Sequence, residues 1–373
     1  MNVPLSSPDI GQRERELVNA VLDSNILSIG PQVEQFERMV ADYLGVKEAV
    51  AVNSGTSGLH LAVRGLGISA GDEVITSPFS FVSSSNCMLY ENARPVFVDI
   101  DPLTLNIDPE KIEAKITSRT RAILPVHVFG RPADMGRIME VARQYRLAVI
   151  EDACEAIGAR YREKMVGSES DAAVFAFYPN KQITTGEGGV ISTNNSDLAG
   201  LCRSMRNQGR NSVGGWFNHC RLGYNYRLDE LSAALGVAQM EYLDEILAKR
   251  EAVAMAYNAR LERLEGVALP YLEPGIKISW FVYVVRLAPG IDRDRVMAYL
   301  QGNGVDCRPY FQPIHLQPFY QEKFGYQSGD FPNTEFVASS TLALPFFNNI
   351  TEKQLDYVVE VLTEAIRLDA KGS

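Results

Sequence analysis

Lys181 is set apart by its neighbours. It lies in Phe175-Ala-Phe-Tyr-Pro-Asn-Lys181-Gln-Ile-Thr-Thr-Gly-Glu-Gly-Gly189, between a strand-like apolar run and a glycine-rich turn. Glycine allows close backbone approach and positive φ without a steric cost. A lysine amine is a weak nucleophile at its free pKa of ~10.4, and desolvation or a nearby cation must lower that value before it attacks a carbonyl. The segment therefore supplies either an amine for carbonyl chemistry or an exposed loop lysine. A second feature is Ala148-Val-Ile-Glu-Asp152-Ala-Cys-Glu-Ala-Ile-Gly158, where an acidic pair ends an apolar strand. At the carboxyl edge of a sheet, Asp152 either holds a heterocyclic nitrogen in its protonated form or caps the turn. A third is Ala51-Val-Asn-Ser54-Gly55-Thr56-Ser57-Gly58-Leu59, a small polar loop that opens a helix. Backbone N–H groups at a helix start, with Thr and Ser hydroxyls beside them, form an anion cradle. The same residues are also ordinary capping chemistry.

The elements that must position these groups follow from the apolar pattern. Glu48–Val52, Glu73–Thr76, Pro95–Val98, Arg121–Val126 and Leu147–Glu151 read as buried strands, with helices at Leu59–Leu66 and Arg131–Tyr145. Such alternation predicts βαβ units and a mostly parallel, doubly wound sheet. Ligands on such sheets bind beyond the carboxyl ends of the strands, where all three segments fall. From Leu228 to Leu264 there is no proline, and Leu231, Ala234, Leu235, Ala238, Tyr242 and Ile246 recur at helical spacing. This predicts one long or slightly broken helix leading into a smaller C-terminal α+β domain. That domain is expected to carry strands at Ile278–Leu287 and Val305–Arg308 and helices at Asp292–Gly302 and Thr351–Leu368. The division is expected at 1–245 for the large α/β domain, with its N-terminal helical segment, and 246–373 for the small one.

Composition narrows the function. The 373 residues carry 36 Lys plus Arg against 46 Asp plus Glu, a formal charge of −10. That balance argues against a surface built to grip nucleic acid or anionic lipid. No apolar run approaches the about 20 residues of a membrane helix, and the first residues do not read as a secretory signal. Cys87, Cys154, Cys202, Cys220 and Cys307 are scattered and form no C-x-x-C pair. They predict free thiols in a reducing compartment, the cytoplasm by default, and no metal site.

An anion cradle, an edge carboxylate and a downstream lysine, in that order, are what a pyridoxal 5′-phosphate (PLP) site needs. Together with Ser28-Ile-Gly-Pro31, Leu222-Gly-Tyr-Asn-Tyr-Arg227 and Pro313-Ile-His315, they make the chain resemble, over nearly its whole length, the DegT/StrS-type sugar aminotransferases of the fold type I PLP enzymes. The resemblance implies that Lys181 is the Schiff-base lysine and that Asp152 pairs with the pyridine nitrogen. It implies that Gly55, Thr56 and Ser57 bind the cofactor phosphate and that Phe81 stacks on the ring; the alternative for Phe81 is a core aromatic. It further implies a homodimer in which Asn225 reaches the phosphate from the neighbouring subunit. Two positions depart from the family pattern. Ala176 stands where relatives carry a phosphate-binding Ser. Glu155 stands near the cofactor's phenolic oxygen, where many carry Gln or His. A second carboxylate there repels an ionised phenolate unless Glu155 is protonated or turned away. The perosamine-synthase-like members share this Glu.

The implied reaction moves an amino group from L-glutamate, through PLP and its amino form PMP, to a nucleotide-linked 4-keto-6-deoxyhexose, giving a perosamine-type 4-amino sugar. A 3-keto sugar is the near alternative. A PLP-dependent sugar dehydratase is disfavoured, because such relatives replace the lysine with histidine, and no appended DNA-binding segment supports a non-catalytic regulator. Candidate substrate residues are His219 in the loop Asn207–Gly223, and Arg308, Tyr310 and His315 in the segment Arg308–His315, whose Arg, aromatic and His side chains suit a diphosphate, a base or a hexose. Each histidine has the alternative of a structural role. His127, inside an apolar strand, reads as a satisfied core histidine, and His60 is given no role.

Overall fold

The computed structural model describes residues 1–210 and 218–372. Its centre is a seven-stranded sheet, in spatial order Glu48–Val52, Gly189–Thr193, Ala172–Ala176, Ala148–Asp152, Thr120–Leu124, Glu73–Thr76 and Arg94–Phe97. Gly189–Thr193 runs antiparallel to both neighbours, and the other pairings are parallel. Residue alternation along the strands feeds two cores. Val50, Val52, Ile150, Val174 and Ile191 pack on one face with the helices Gly55–Gly65 and Ser196–Arg206. Ala49, Ala51, Phe175 and Val190 pack on the other with Pro31–Leu44 and Glu230–Glu241. Ile75, Ile123 and Val149 continue that face beneath the helix Met135–Tyr145. The result is the doubly wound α/β architecture.

Some boundaries differ from expectation for local reasons. The helix expected from Arg131 begins at Met135, because Arg131 precedes Pro132 and is extended (ψ 122°), and Asp134 caps the start through the Arg137 N–H. The long helix after Arg227 is two helices, Glu230–Glu241 and Leu243–Leu261, broken at Tyr242. Val305–Arg308 is not a strand; Val305 pairs with Val3 and Arg308 with Ala343 as isolated bridges. Of Ile278–Leu287 only Tyr283–Leu287 is a strand in the small sheet, between Val267–Ala268 and Thr341–Leu344.

Residues 278–282 instead form a strap over the large sheet. Ser279 donates its N–H to the Gly130 carbonyl, and a Cβ on Gly130 would come within 1.7 Å of the Ser279 oxygen. Only glycine permits that crossing. Leu243–Leu261 joins the two parts of the molecule. Its Leu243, Ile246 and Leu247 pack in the large core, while Val253, Ala254, Tyr257 and Leu261 pack in the small one. The helix thus runs unbroken through the expected 245/246 boundary. Among the described residues, no helix is long and apolar enough to cross a membrane.

Candidate active site

The strand Glu48–Val52 delivers the chain to Asn53 and Ser54, and a helix starts at Gly55. Ser54 is extended and caps this helix, its Oγ accepting the Ser57 N–H at 3.1 Å. The amides of Gly55 and Thr56 are the first two of the helix, so no carbonyl within it is placed to accept them. Both residues line a pocket of about 510 Å³ at the carboxyl ends of the strands. A Cβ on Gly55 would stand 2.8 Å from both Ala176 Cβ and Cys154 Sγ, so the close approach of this backbone requires glycine. Ser57 corrects the expectation of a third phosphate ligand. It is buried, lies off the pocket, and spends its hydroxyl on Asn53 Oδ1 at 2.6 Å, because the third position of a capped helix points back at its cap.

Asp152 ends its strand at the floor of the pocket and is 6% exposed. Ser84 Oγ donates to its Oδ2 at 2.6 Å and the Cys154 N–H to its Oδ1 at 3.1 Å. Lys181 also lines the pocket, its Nζ 3.5 Å from Glu155 Oε1 and 3.9 Å from the centroid of the Phe281 ring. Glu155 is not turned away. Its Oε2 accepts the Phe129 N–H at 2.9 Å, and burial pushes its carboxyl above the ordinary range despite the nearby ammonium. Phe81 lines the pocket with 62% of its surface exposed, which excludes the core-aromatic alternative. Tyr310 closes another side, its phenol raised by burial and by Glu155. Ala176 also lines the pocket and contributes no hydroxyl.

The remaining candidates do not meet this pocket. Arg308 folds back on Asp306 Oδ1 at 2.6 Å and on the Cys307 carbonyl. His315 is corrected from substrate residue to core residue. The turn after Pro313 points it inward, where it is fully buried with Nε2 3.0 Å from Glu335 and its ring against Phe331. His219 donates from Nδ1 to the Gln208 carbonyl and is exposed, and residues 211–217 of its loop lie outside the described residues. Asn225 is exposed and off the pocket of its own chain. His127 is a satisfied core histidine, with Nε2 2.8 Å from Glu151 and Nδ1 accepting the Ala133 N–H. Sequence reasoning missed Ser84, Asn180 and Phe281 as pocket residues. Ser84 sits one turn from Phe81 in a serine-rich stretch, a weak local signal; Phe281 comes from the strap and has none.

The donor set fits PLP. Two free amides at a helix start suit a phosphate, a buried carboxylate suits a protonated ring nitrogen, an exposed aromatic face suits stacking, and an amine faces them. Asn180 Oδ1, buried on the pocket wall without a hydrogen-bond partner, leaves an acceptor available. The site and the sheet together define a PLP-dependent aminotransferase of fold type I. Comparison with known proteins makes this more particular. The model of the DegT/DnrJ/EryC1/StrS aminotransferase family matches residues 8–363, and the chain belongs to that family. The chain is 42% identical over 369 residues to a GDP-perosamine synthase of Caulobacter vibrioides, covering 98% of each. It is 38% identical to the spore coat polysaccharide biosynthesis protein SpsC of Bacillus subtilis, covering 98% of this chain and 97% of that one. The structure of S. venezuelae DesV in complex with a ketimine intermediate superposes with a TM-score of 0.92 at 35% identity, covering 97% of this chain and 98% of that one. The protein is thus a sugar aminotransferase.

Proposed function

We propose that the protein transfers the amino group of L-glutamate to a nucleotide-linked 4-keto-6-deoxyhexose, GDP-linked, giving a perosamine-type 4-amino sugar. The observation that carries the chemistry is the Lys181 amine, held 3.5 Å from Glu155 in a pocket whose floor is Asp152. The likeness to GDP-perosamine synthase supports the choice of substrate. Bound PLP supplies the electron sink for the carbanion chemistry and carries the amino group between the two halves. Asp152 is the acceptor for the ring nitrogen, Gly55 and Thr56 bind the phosphate, and Phe81 presents a flat apolar face. Lys181 Nζ takes the proton from Cα of glutamate in one half-reaction and delivers a proton to the former carbonyl carbon of the sugar in the other. Tyr310 borders the space left for the sugar. The working unit is a homodimer, and the exposed position of Asn225 supports its reaching the phosphate of the neighbouring subunit.

An absorbance spectrum tests this reading. PLP-loaded protein should show a visible band that collapses into the near-ultraviolet on addition of L-glutamate, and Lys181→Ala should abolish the response. A GDP-linked 4-keto-6-deoxyhexose should then restore the visible band faster than a 3-keto analogue. A visible band indifferent to glutamate would refute the donor, and faster recovery with the 3-keto sugar would refute the acceptor.

A further inference from the structure

The helix Gly55–Gly65 has a second chemical face. His60 and Arg64 lie four residues apart on one side of it, away from the pocket lined by its first residues. His60 is 3% exposed, with Nε2 2.7 Å from Glu91 Oε1 and Nδ1 3.2 Å from the Tyr226 hydroxyl. A carboxylate only accepts, so Nε2 carries the proton and Nδ1 accepts from Tyr226. Burial holds the imidazole below its ordinary pKa, in keeping with that neutral form. Arg64 Nη1 donates to both Glu91 oxygens at 2.9 and 2.8 Å, and the Tyr224 hydroxyl reaches Oε1 at 3.3 Å. The Tyr224 and Tyr226 rings stack at 4.9 Å with 10° between their planes, and the His60 ring lies 4.8 Å from that of Tyr224.

Between these two tyrosines stands Asn225. Its neighbours are half-buried against the helix, while Asn225 is exposed. The backbone is pinned as well, by Tyr224 N–H to the Met205 carbonyl and Tyr226 N–H to the Arg206 carbonyl. Asn53, just ahead of the cradle, donates its N–H to the Tyr226 carbonyl at 2.9 Å. An apolar contact would bury these rings equally well, but it would not fix their rotation. A fully paired polar network fixes direction.

The geometry points to His60, Arg64 and Glu91 as positioning residues that clamp Tyr224 and Tyr226 so that Asn225 is presented outward to the cofactor phosphate of a second subunit. One helix then serves two sites, its own cradle at the N-terminus and the neighbour's phosphate from its flank. This inference rests on the proposed dimeric PLP site.

The test is the PLP dissociation constant of the dimeric protein, read from the visible band. Tyr226→Phe keeps the ring and removes only the hydroxyl, and Glu91→Gln removes the charge that organises the cluster. Each is made alone and with Asn225→Ala. Each single substitution should weaken PLP binding by about five- to tenfold, the scale of one or two lost hydrogen bonds. In the Asn225→Ala background neither should weaken it further, because residues acting through one group do not add. Unchanged affinity in Tyr226→Phe, or losses that multiply in the double variants, overturn the inference. Should Glu91→Gln fail to fold, Tyr226→Phe decides alone. Wild-type protein that takes up no PLP instead refutes the function from which the inference starts.

Discussion

Glu155 carries a conflict that its neighbours resolve only in part. It is a second carboxylate in the wall that holds Asp152, and it is buried. Burial raises its pKa, while Lys181 and the Phe129 N–H oppose the rise. The sign of the resulting pH dependence follows. Below the ordinary carboxyl value of about 4.3, folded and unfolded chains both hold the proton, and Glu155→Gln changes little. Between that value and the raised one, the unfolded chain releases its proton first, and the wild type loses stability that glutamine retains. The melting temperature of cofactor-free Glu155→Gln should therefore gain on wild type as pH rises from about 4 to about 7. A difference that stays flat over that interval would mean that the Lys181 ion pair outweighs burial. The amide can still accept the Phe129 N–H, so the comparison isolates the charge.

At the scale of elements, the helix Gly55–Gly65 is packed closely at each of its glycines, and Gly55 is the one that lines the pocket. Its Ser54 cap is local, but the need for glycine at position 55 comes from Ala176 and Cys154 on two other strand ends. Gly55→Ala should destabilise the protein by about 1–3 kcal/mol through overpacking, and weaken PLP binding in the same variant. Gly200→Ala is the matched control. It lies in the helix Ser196–Arg206, and its added Cβ meets nothing within 4 Å. That substitution should raise stability by about 0.5–1 kcal/mol, the helix-interior cost of glycine. Thermal melts of the two variants with opposite signs would confirm that space, not helix propensity, decides at position 55. Equal shifts would refute it.

For the whole molecule, the C-terminal part of the chain completes the pocket, supplying Phe281, Tyr310 and Phe311 to its lining. Phe281 reaches Lys181 from the strap, which Arg250 fastens by donating to the Trp280 carbonyl at 2.6 Å and to the Phe281 carbonyl at 2.7 Å. The proposed dimer adds a second shared element. If Asn225 serves the opposite subunit, a hybrid of one Lys181→Ala and one Asn225→Ala chain holds one intact site, since the Asn225→Ala subunit keeps its lysine and borrows asparagine. Mixed, refolded variants should then recover up to a quarter of the wild-type sites by random pairing of two chains. The readout is the glutamate-sensitive visible band at a PLP concentration that leaves Asn225→Ala empty. No recovery beyond the separate variants would place Asn225 in its own subunit's site or in none.

Much of the site was legible in the chain. Strand ends rich in Gly, Ser and Asp, and a lysine before a glycine turn, are local patterns whose chemistry depends on residue type. Lys181, Asp152, Gly55, Thr56, Phe81 and Tyr310 meet in the pocket where the carboxyl-edge rule for parallel sheets puts ligands. Ser57, Arg308 and His315 were misplaced because motif membership does not say which way a side chain points. A capped third helical position turned Ser57 to Asn53, and the turn after Pro313 turned His315 into the core. Phe281 and the clamp around His60 had no sequence signal and Ser84 only a weak one, since Asp152 stands 68 residues from Ser84, Glu91 and Tyr226 stand 31 and 166 from His60, and Phe281 meets Lys181 from the strap. By itself the sequence marked five of the seven strands of the central sheet, the order of the chemistry-bearing segments and the lysine that lines the pocket, because these rest on short-range periodicity and residue type. Tertiary structure alone decided which side chains reach the pocket and which brace it, because long-range packing assigns each one its direction.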